Sequence, residues 1–138
     1  MQNTILIDAG PLIALFDRDD NYHKRVVDFI KDSHWQFVTT TAVLTEVSYM
    51  LNFNVNAQLD FFEWLVLKGV TLFELEQYDM ARVIYLTKQY RDLPMDFADA
   101  TLVIAAENMG IRAIISIDSD FDIYRLPGKI LIHNIFPR

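Results

Sequence analysis

Cysteine is absent from this chain of 138 residues. Its absence excludes disulfides, thiolate zinc sites and a cysteine nucleophile, and it fits a protein of the reducing cytoplasm. Only four glycines and four prolines occur, whereas 52% of the residues are hydrophobic. This balance argues against disorder and for a compact fold. We therefore expect one cytoplasmic domain over residues 1–138.

Long apolar runs and an excess of positive charge are also missing. No run approaches the roughly 20 residues of a membrane-spanning helix, and no basic segment at the N-terminus suggests a signal peptide. The 12 lysines and arginines are outnumbered by 19 acidic residues, which gives a net charge of −7. Such a charge disfavours nucleic-acid binding through phosphate neutralisation. The objection weakens if several acids hold divalent cations where a phosphate would bind.

Several common catalytic motifs are missing as well. The sequence has no P-loop, no nucleophile elbow and no dinucleotide-binding glycine cluster. Its three histidines, at positions 23, 34 and 133, do not have the spacing of zinc ligands. These absences leave carboxylate chemistry as the main candidate.

Strand-like and helix-like segments alternate along the chain. We predict strands at 4–8, 36–39, 70–73, 113–117 and 129–133, and helices at 12–16, 22–31, 41–51, 56–68, 76–90 and 97–109. The strands are apolar throughout rather than alternating, which is typical of a mainly parallel sheet covered on both faces. The sequence therefore predicts an α/β fold, whose ligands bind beyond the carboxyl ends of the strands.

Acidic residues occupy unexpected places in this pattern. Asp8 and Asp118 follow apolar strands, Glu46 borders the apolar stripe of its helix, and Asp99 lies on the most apolar helix, one turn after Asp96. Buried carboxylates need partners. A divalent cation that prefers oxygen ligands, such as Mg²⁺ or Mn²⁺, would be one partner for all of them.

Each acid also has an ordinary explanation. Glu46 can reach solvent from the edge of its helix, and Asp96 can cap the helix that follows it. Asp8 can belong to a turn, and Asp118 can cap the helical turn that follows it. The metal hypothesis therefore depends on these acids meeting in space.

With these segments in this order, the chain resembles the PIN-domain ribonucleases, and among them the VapC-like toxins of bacterial toxin–antitoxin pairs. The segments that carry the resemblance are 7–15 (IDAGPLIAL), 45–47 (TEV), 94–105 (PMDFADATLVIA) and 116–121 (SIDSDF). The resemblance covers essentially the whole chain. It implies a three-layer α/β/α sandwich with a mainly parallel sheet of about five strands.

The resemblance also implies roles for individual residues. The catalytic residues and metal ligands would be Asp8, Glu46, Asp99 and Asp118, with Asp96 as a further metal ligand and Ser116 and Asp120 as accessory residues. One or two Mg²⁺ or Mn²⁺ ions would support cleavage of single-stranded RNA. The implied partners are RNA, a second copy of the chain in a homodimer, and a cognate antitoxin protein, with no membrane.

Other functions stay open at this point. The chain could be a receiver-like domain, a non-catalytic PIN-like interaction protein or a DNA structure-specific nuclease. A receiver would need a lysine soon after a late strand, and here the basic residues Arg125 and Lys129 follow Asp118 too late. Arg18, Lys24 and Arg125 are candidate phosphate contacts on sequence proximity alone.

Overall fold

The computed structural model describes residues 3–137. Seven strands and six α-helices alternate along this part of the chain. They are β1 (Thr4–Ile7), α1 (Ala9–Phe16), α2 (His23–Lys31), β2 (Gln36–Thr40), α3 (Thr41–Met50), α4 (Val55–Val66), β3 (Thr71–Phe73), α5 (Met80–Gln89), α6 (Phe97–Met109), β4 (Ala113–Ile115), β5 (Arg125–Leu126), β6 (Ile130–Leu131) and β7 (His133–Asn134).

Five strands form one parallel sheet in the order β3-β2-β1-β4-β7. The central strand β1 places Leu6 opposite Val38 of β2 and Ile114 of β4. All four residues of β1 are buried, which requires helices on both faces of the sheet. The fold is the α/β/α sandwich with a parallel sheet that the sequence predicts.

Local sequence signals fix the ends of several helices. The Thr40 hydroxyl accepts a hydrogen bond from the backbone N–H of Val43 at the start of α3, and the Asn54 side chain accepts two at the start of α4. Gly110 ends α6 in the left-handed conformation, with φ of 68°, which glycine adopts without steric cost. These caps set where α3 and α6 begin and end, and both helices carry acids of interest.

The end of the chain differs from the prediction of a strand at 129–133. Ile130–Leu131 instead pairs antiparallel with Arg125–Leu126 in a separate two-stranded ribbon, and the sheet gains its fifth strand at His133–Asn134. Ile130–Leu131 is apolar and His133–Asn134 is polar, and the buried Ile132 separates the two strands. Hydrophobic pattern alone does not say which of two adjacent strands joins the sheet.

Two helix starts also differ from the prediction. The segment predicted as one helix from 76 to 90 begins with a 3₁₀ turn at Gln77–Asp79 before α5. Helix α2 begins at His23 rather than at position 22, and the N–H of Tyr22 donates to the Asp20 side chain in the turn before it. Neither difference moves an acidic residue of interest.

The strand order changes direction beside β1. The chain runs outward from β1 to β2 and β3, then returns to place β4 on the other side of β1. In open α/β sheets such a switch point leaves a crevice at the carboxyl ends of the strands, where ligands bind. Within residues 3–137, no helix is long and apolar enough to cross a lipid bilayer.

Candidate active site

Asp8 lies at the crevice between β1 and β4. It follows β1 directly and caps α1, because its Oδ1 accepts the N–H of Ala9 at 2.8 Å. Its Oδ2 accepts the hydroxyl of Ser116 at 2.9 Å. The residue is only 8% exposed. The fold thus holds this carboxylate rigidly, with both oxygens engaged.

Asp99 faces the same crevice from the first turn of α6 and is also 8% exposed. Its Oδ2 accepts the hydroxyl of the fully buried Tyr124 at 2.8 Å. The hydrogen bond from Tyr124 favours the charged form of the carboxylate, as the bond from Ser116 does for Asp8. Each buried acid therefore has a neutral hydroxyl partner rather than a cation.

Burial and mutual repulsion make both carboxylates hard to ionise. Desolvation raises the pKa of Asp8 to about 6, against the lowering effect of its hydrogen bonds from Ala9 and Ser116, and the charges of Glu46 and Asp118 raise it further. The pKa of Asp99 is raised to about 7, first by desolvation and then by the charge of Asp8. The pKa of the Tyr124 hydroxyl is also raised, by burial and by its hydrogen bond to Asp99.

Four further acids lie around this pair. Glu46 is exposed on α3, yet partial desolvation and the charge of Asp96 raise its pKa. Asp96 and Asp120 both raise the pKa of Asp99, and Asp118 raises those of Asp8 and Asp120. The structure therefore brings all six predicted acids within electrostatic reach of one another. Their roles as ligands stay predictions.

The ordinary explanations of these acids, as caps, turn residues or exposed helix residues, hold at some positions and not at others. Asp96 occupies the N-cap of α6, but its side chain makes no capping hydrogen bond. Asp118 does stabilise the turn that follows it, since its Oδ1 accepts the N–H of Asp120 at 3.0 Å. Glu46 is exposed while Val43 and Val47 of the same helix are buried, so it lies outside the apolar stripe rather than within it.

No cation of the described chain neutralises the central acids. The two ion pairs among residues 3–137 join Lys24 to Asp28 and Arg82 to Glu107. Asp8, Glu46 and Asp99 thus have no lysine or arginine within ion-pair distance in this part of the chain. Within the described residues, Asp8, Glu46 and Asp99 therefore carry negative charge that an external cation would offset.

The donor set suits a hard divalent cation. Among residues 3–137, no three side chains of metal-binding type are close enough to form a closed ligand group. Mg²⁺ does not need one, because it is held by one or two carboxylates and keeps several waters. The pair Asp8 and Asp99, ringed by further carboxylates, meets that requirement, whereas a closed zinc site would need more ligands.

Two residues that contribute to the site carried no usable sequence signal. Tyr124 holds Asp99, and Asn134 holds Ser116 by accepting its backbone N–H at 3.2 Å and donating to its carbonyl at 2.9 Å. Both residues lie outside the motif segments, and each is distant along the chain from the residue that it contacts. Only the folded chain shows that β7 supports the site through Ser116.

The three candidate phosphate contacts lie in different settings. Lys24 is exposed and pairs with Asp28 at 3.1 Å. Arg18 is exposed and lines a cavity with three aspartates, Asp17, Asp19 and Asp60. Arg125 directly follows Tyr124, and its guanidinium donates to the carbonyls of Asp122 and Tyr124 at 2.6 and 2.9 Å. Of the three, Arg125 has the clearest link to the site.

Comparisons with known proteins agree with this geometry. The PIN domain family model matches residues 5–126. Ribonuclease VapC26 of Mycobacterium tuberculosis is 25% identical over 116 residues, which are 83% of this chain and 86% of that protein. The resemblance to PIN-domain proteins that the sequence motifs predict is therefore confirmed.

Solved structures share the fold. The crystal structure of M. tuberculosis VapC20, described as a toxin that cleaves the sarcin–ricin loop, has a TM-score of 0.78 at 18% identity, covering 86% of this chain and 93% of that one. The structure of VapBC2 from Rickettsia felis, bound to a DNA fragment from its promoter, has a TM-score of 0.63 at 10% identity, covering 93% of this chain and 96% of that one.

Removing one central charge should stabilise the metal-free protein at neutral pH. A raised carboxyl pKa gives stability that is complete below the unfolded value near 3.8 and lost as pH rises through about 7 for Asp99. In EDTA we expect the free energy of unfolding, measured with urea, to fall by about 1–3 kcal/mol between about pH 5 and pH 8. Asp99→Asn keeps an acceptor for Tyr124 and should remove much of this fall.

A matched substitution separates this effect from a general change in charge. Asp92→Asn removes an exposed carboxylate from the segment before α6, so it should leave the pH dependence of wild-type stability unchanged. Equal stability of the wild-type protein at both pH values would contradict the electrostatic account of the site.

Proposed function

Because the chain belongs to the PIN domain family, we propose that it is a metal-dependent endoribonuclease of the VapC type, the toxin of a toxin–antitoxin pair. The observation that carries this proposal is the pair of buried carboxylates, Asp8 and Asp99, at the carboxyl edge of the sheet with no lysine or arginine of residues 3–137 beside them. Such a pair is unfavourable in itself and favourable around a divalent cation.

Asp8 and Asp99 would hold the metal, with Asp118 and Glu46 completing its surroundings. One or two Mg²⁺ or Mn²⁺ ions would supply the positive charge that a phosphodiester needs and would favour ionisation of a water. Ser116 and Tyr124 fix the orientation of the two central carboxylates through their hydroxyls. Because the pKa values of Asp8 and Asp99 are raised, binding of the metal would displace protons from both residues.

The outer acids have the position to act on water and on the leaving group. Asp96 makes no capping hydrogen bond, and Glu46 is exposed beside it. A carboxylate at the edge of the site can orient a water for attack on phosphorus in line with the departing sugar oxygen. Phosphodiester hydrolysis through these residues would leave a 5′-phosphate and a 3′-hydroxyl.

RNA is the proposed substrate because the relatives are ribonucleases. VapC26 is named a ribonuclease, and VapC20 is described as cleaving the sarcin–ricin loop. An open crevice whose metal ligands lie at the edge of a sheet suits an unpaired, flexible strand rather than a duplex. A receiver-like domain explains neither the clustering of six acids nor the similarity to these proteins, and a non-catalytic relative explains the similarity but not the acids. We expect the activity in the cytoplasm, where RNA is available.

The surface of α3 and α4 supports proposals about protein partners. Val55, Leu59, Phe62 and Val66 are exposed on α4 at spacings of four, three and four residues, which puts them on one face. Tyr49, Met50 and Phe53 extend this apolar surface from the end of α3. Exposed apolar patches of this extent are typical of protein interfaces. We propose that this surface forms a homodimer interface.

An antitoxin is the second proposed protein partner. The R. felis neighbour was solved as VapBC2 with promoter DNA, which supports a paired regulatory protein for this chain as well. An antitoxin that covers the acidic crevice would offer basic side chains to it, because Asp8 and Asp99 have no cationic partner among residues 3–137.

Loss of one central carboxylate should abolish cleavage without unfolding the protein. With Mn²⁺ and single-stranded RNA, we expect Asp8→Asn and Asp99→Asn to lower the cleavage rate by a factor of about 10³ or more, because each removes a metal-binding charge. EDTA should abolish wild-type cleavage. The rate is measured by gel electrophoresis of end-labelled RNA, and circular dichroism confirms that the variants fold.

Asp28→Asn is the matched control, since it removes an exposed carboxylate that pairs with Lys24. This variant should cleave RNA at the wild-type rate. Full Mn²⁺-dependent activity in Asp99→Asn would exclude Asp99 from the site, and wild-type cleavage that persists in EDTA would refute metal dependence.

A charge on the exposed face of α4 should break the homodimer. Burying a glutamate in an apolar interface is strongly unfavourable, so Leu59→Glu and Val66→Glu should shift the protein from dimer to monomer in multi-angle light scattering. Leu131→Glu, at an exposed apolar position on β6, serves as the control and should stay dimeric. A monomeric wild-type protein at micromolar concentration would refute the interface.

A further inference from the structure

A second cavity opens on the same edge of the sheet as the acidic crevice. Its volume is about 410 Å³, and it lies where β2 and β3 end and where α3 and α6 begin. Apolar and polar side chains line it together. The lining includes Thr41, Thr45, Phe73, Glu74, Leu75 and Phe97.

This cavity adjoins the proposed catalytic site. β2 is the direct neighbour of β1, which ends at Asp8, and adjacent strands are about 4.8 Å apart. Thr45 precedes Glu46 on α3, and Phe97 lies between Asp96 and Asp99 at the start of α6. The two sites therefore draw residues from the same two helices. A nucleotide whose phosphate lies at the acids can place its base, or that of its neighbour, in the cavity.

Phe97 is the unusual member of the lining. Its side chain is 53% exposed, whereas every residue from Ala98 to Ala106 of the same helix is buried. Packing in the core thus does not account for an aromatic ring at this position. A phenyl ring at the wall of a cavity, beside a site for phosphodiester cleavage, offers a flat face for stacking a base.

Hydrogen bonds hold the floor of the cavity in place. The hydroxyls of Thr40 and Thr101 lie 2.7 Å apart and join the end of β2 to α6. Thr101 also donates to the carbonyl of Ala98 at 2.6 Å. The first turn of α6, which carries Phe97, is therefore fixed relative to the sheet. The backbone that carries the Phe97 ring therefore loses little freedom when a base stacks on the ring.

The polar lining distinguishes among possible occupants. Glu74 follows β3 with an exposed carboxylate, and Thr41 and Thr45 add hydroxyl oxygens at the start of α3. These groups accept hydrogen bonds, so they suit the amino or imino N–H groups of a base edge. A phosphate would be repelled by Glu74, and a purely apolar side chain would leave these acceptors without a donor.

We propose that this cavity binds one unpaired nucleobase of the RNA substrate next to the scissile phosphate. The base stacks on Phe97, and the side chains of Leu75 and Phe73 enclose it. Glu74 accepts a hydrogen bond from the amino or imino group of the base. The cavity thereby sets a base preference at one position beside the cleavage site. This inference rests on the proposed ribonuclease function and adds a subsite to it.

Cleavage of an RNA library tests the subsite. Wild-type protein with Mn²⁺ is given single-stranded RNA with ten randomised positions, and sequencing of the products reports the base preference around the cut. We expect a preference at one adjacent position that disappears in Phe97→Ala. On the preferred sequence, Phe97→Ala should raise KM roughly five- to a hundredfold and change kcat little, the loss expected for one stacked base.

An abasic substrate shows whether Phe97 acts through the base. Removing the base at the preferred position should raise the wild-type KM by about the same factor as Phe97→Ala does on intact RNA. Phe97→Ala should then lose almost nothing more on the abasic RNA, because both changes remove one contact. Phe97→Trp retains a stacking surface and should keep the wild-type KM on intact RNA.

Tyr85→Ala is the control, because Tyr85 is 58% exposed on α5 and does not line the cavity. It should keep the wild-type KM and base preference.

If Phe97→Ala keeps both the wild-type KM and the base preference, or if it raises KM as much on abasic as on intact RNA, the subsite is refuted while the ribonuclease function stands. If Phe97→Ala alters only the dimeric state or antitoxin binding, a protein partner rather than a base occupies the cavity. Absence of any Mn²⁺-dependent cleavage by the wild-type protein would refute the proposed function itself.

Discussion

The repulsion between Asp8 and Asp99 is the interaction on which the rest of the site depends. Each carboxylate is buried, each raises the free energy needed to ionise its neighbours, and neither has a lysine or arginine beside it in residues 3–137. A fold that keeps such an arrangement gives up stability for it. Nothing in the packing of the core requires two acids here, since neighbouring positions on β1 and α6 are filled by apolar residues.

The fold brings Asp8 and Asp99 together because the ends of separate strands and a helix meet at one edge of the sheet. Asp8 follows the central strand, Ser116 and Asp118 follow its neighbour β4, and α6 presents Asp99 to the same edge. Neutral hydroxyls then fix the carboxylates without cancelling their charge. A cationic group at either hydroxyl position would neutralise the carboxylate and would compete with a metal ion. Ser116 and Tyr124 as partners keep the carboxylate oxygens oriented without supplying a positive charge.

The sequence predicted the elements of the sheet and the acids because both signals are local. Apolar strands such as 4–7 and a glycine at 110 are visible in short windows, and the order of the motif segments carries the family resemblance. The strand at the end of the chain was predicted wrongly, because the apolar Ile130–Leu131 pairs outside the main sheet whereas the polar His133–Asn134 joins it. The supporting roles of Tyr124 and Asn134 could not be predicted from the sequence, because their contacts join positions that are distant along the chain. Exposure was also misjudged for Glu46, which helical periodicity placed at the border of the apolar stripe.

Asn134 determines when the support of the acidic site can be completed during synthesis of the chain. Its amide bridges both backbone groups of Ser116, and the hydroxyl of Ser116 in turn holds Asp8. During synthesis Asp8 is added to the chain long before position 134, so the growing polypeptide holds this carboxylate before it has the residue that supports it through Ser116. The support of Asp8 is therefore complete only after Asn134 has been added, and a chain that stops before this residue holds the acids without that support.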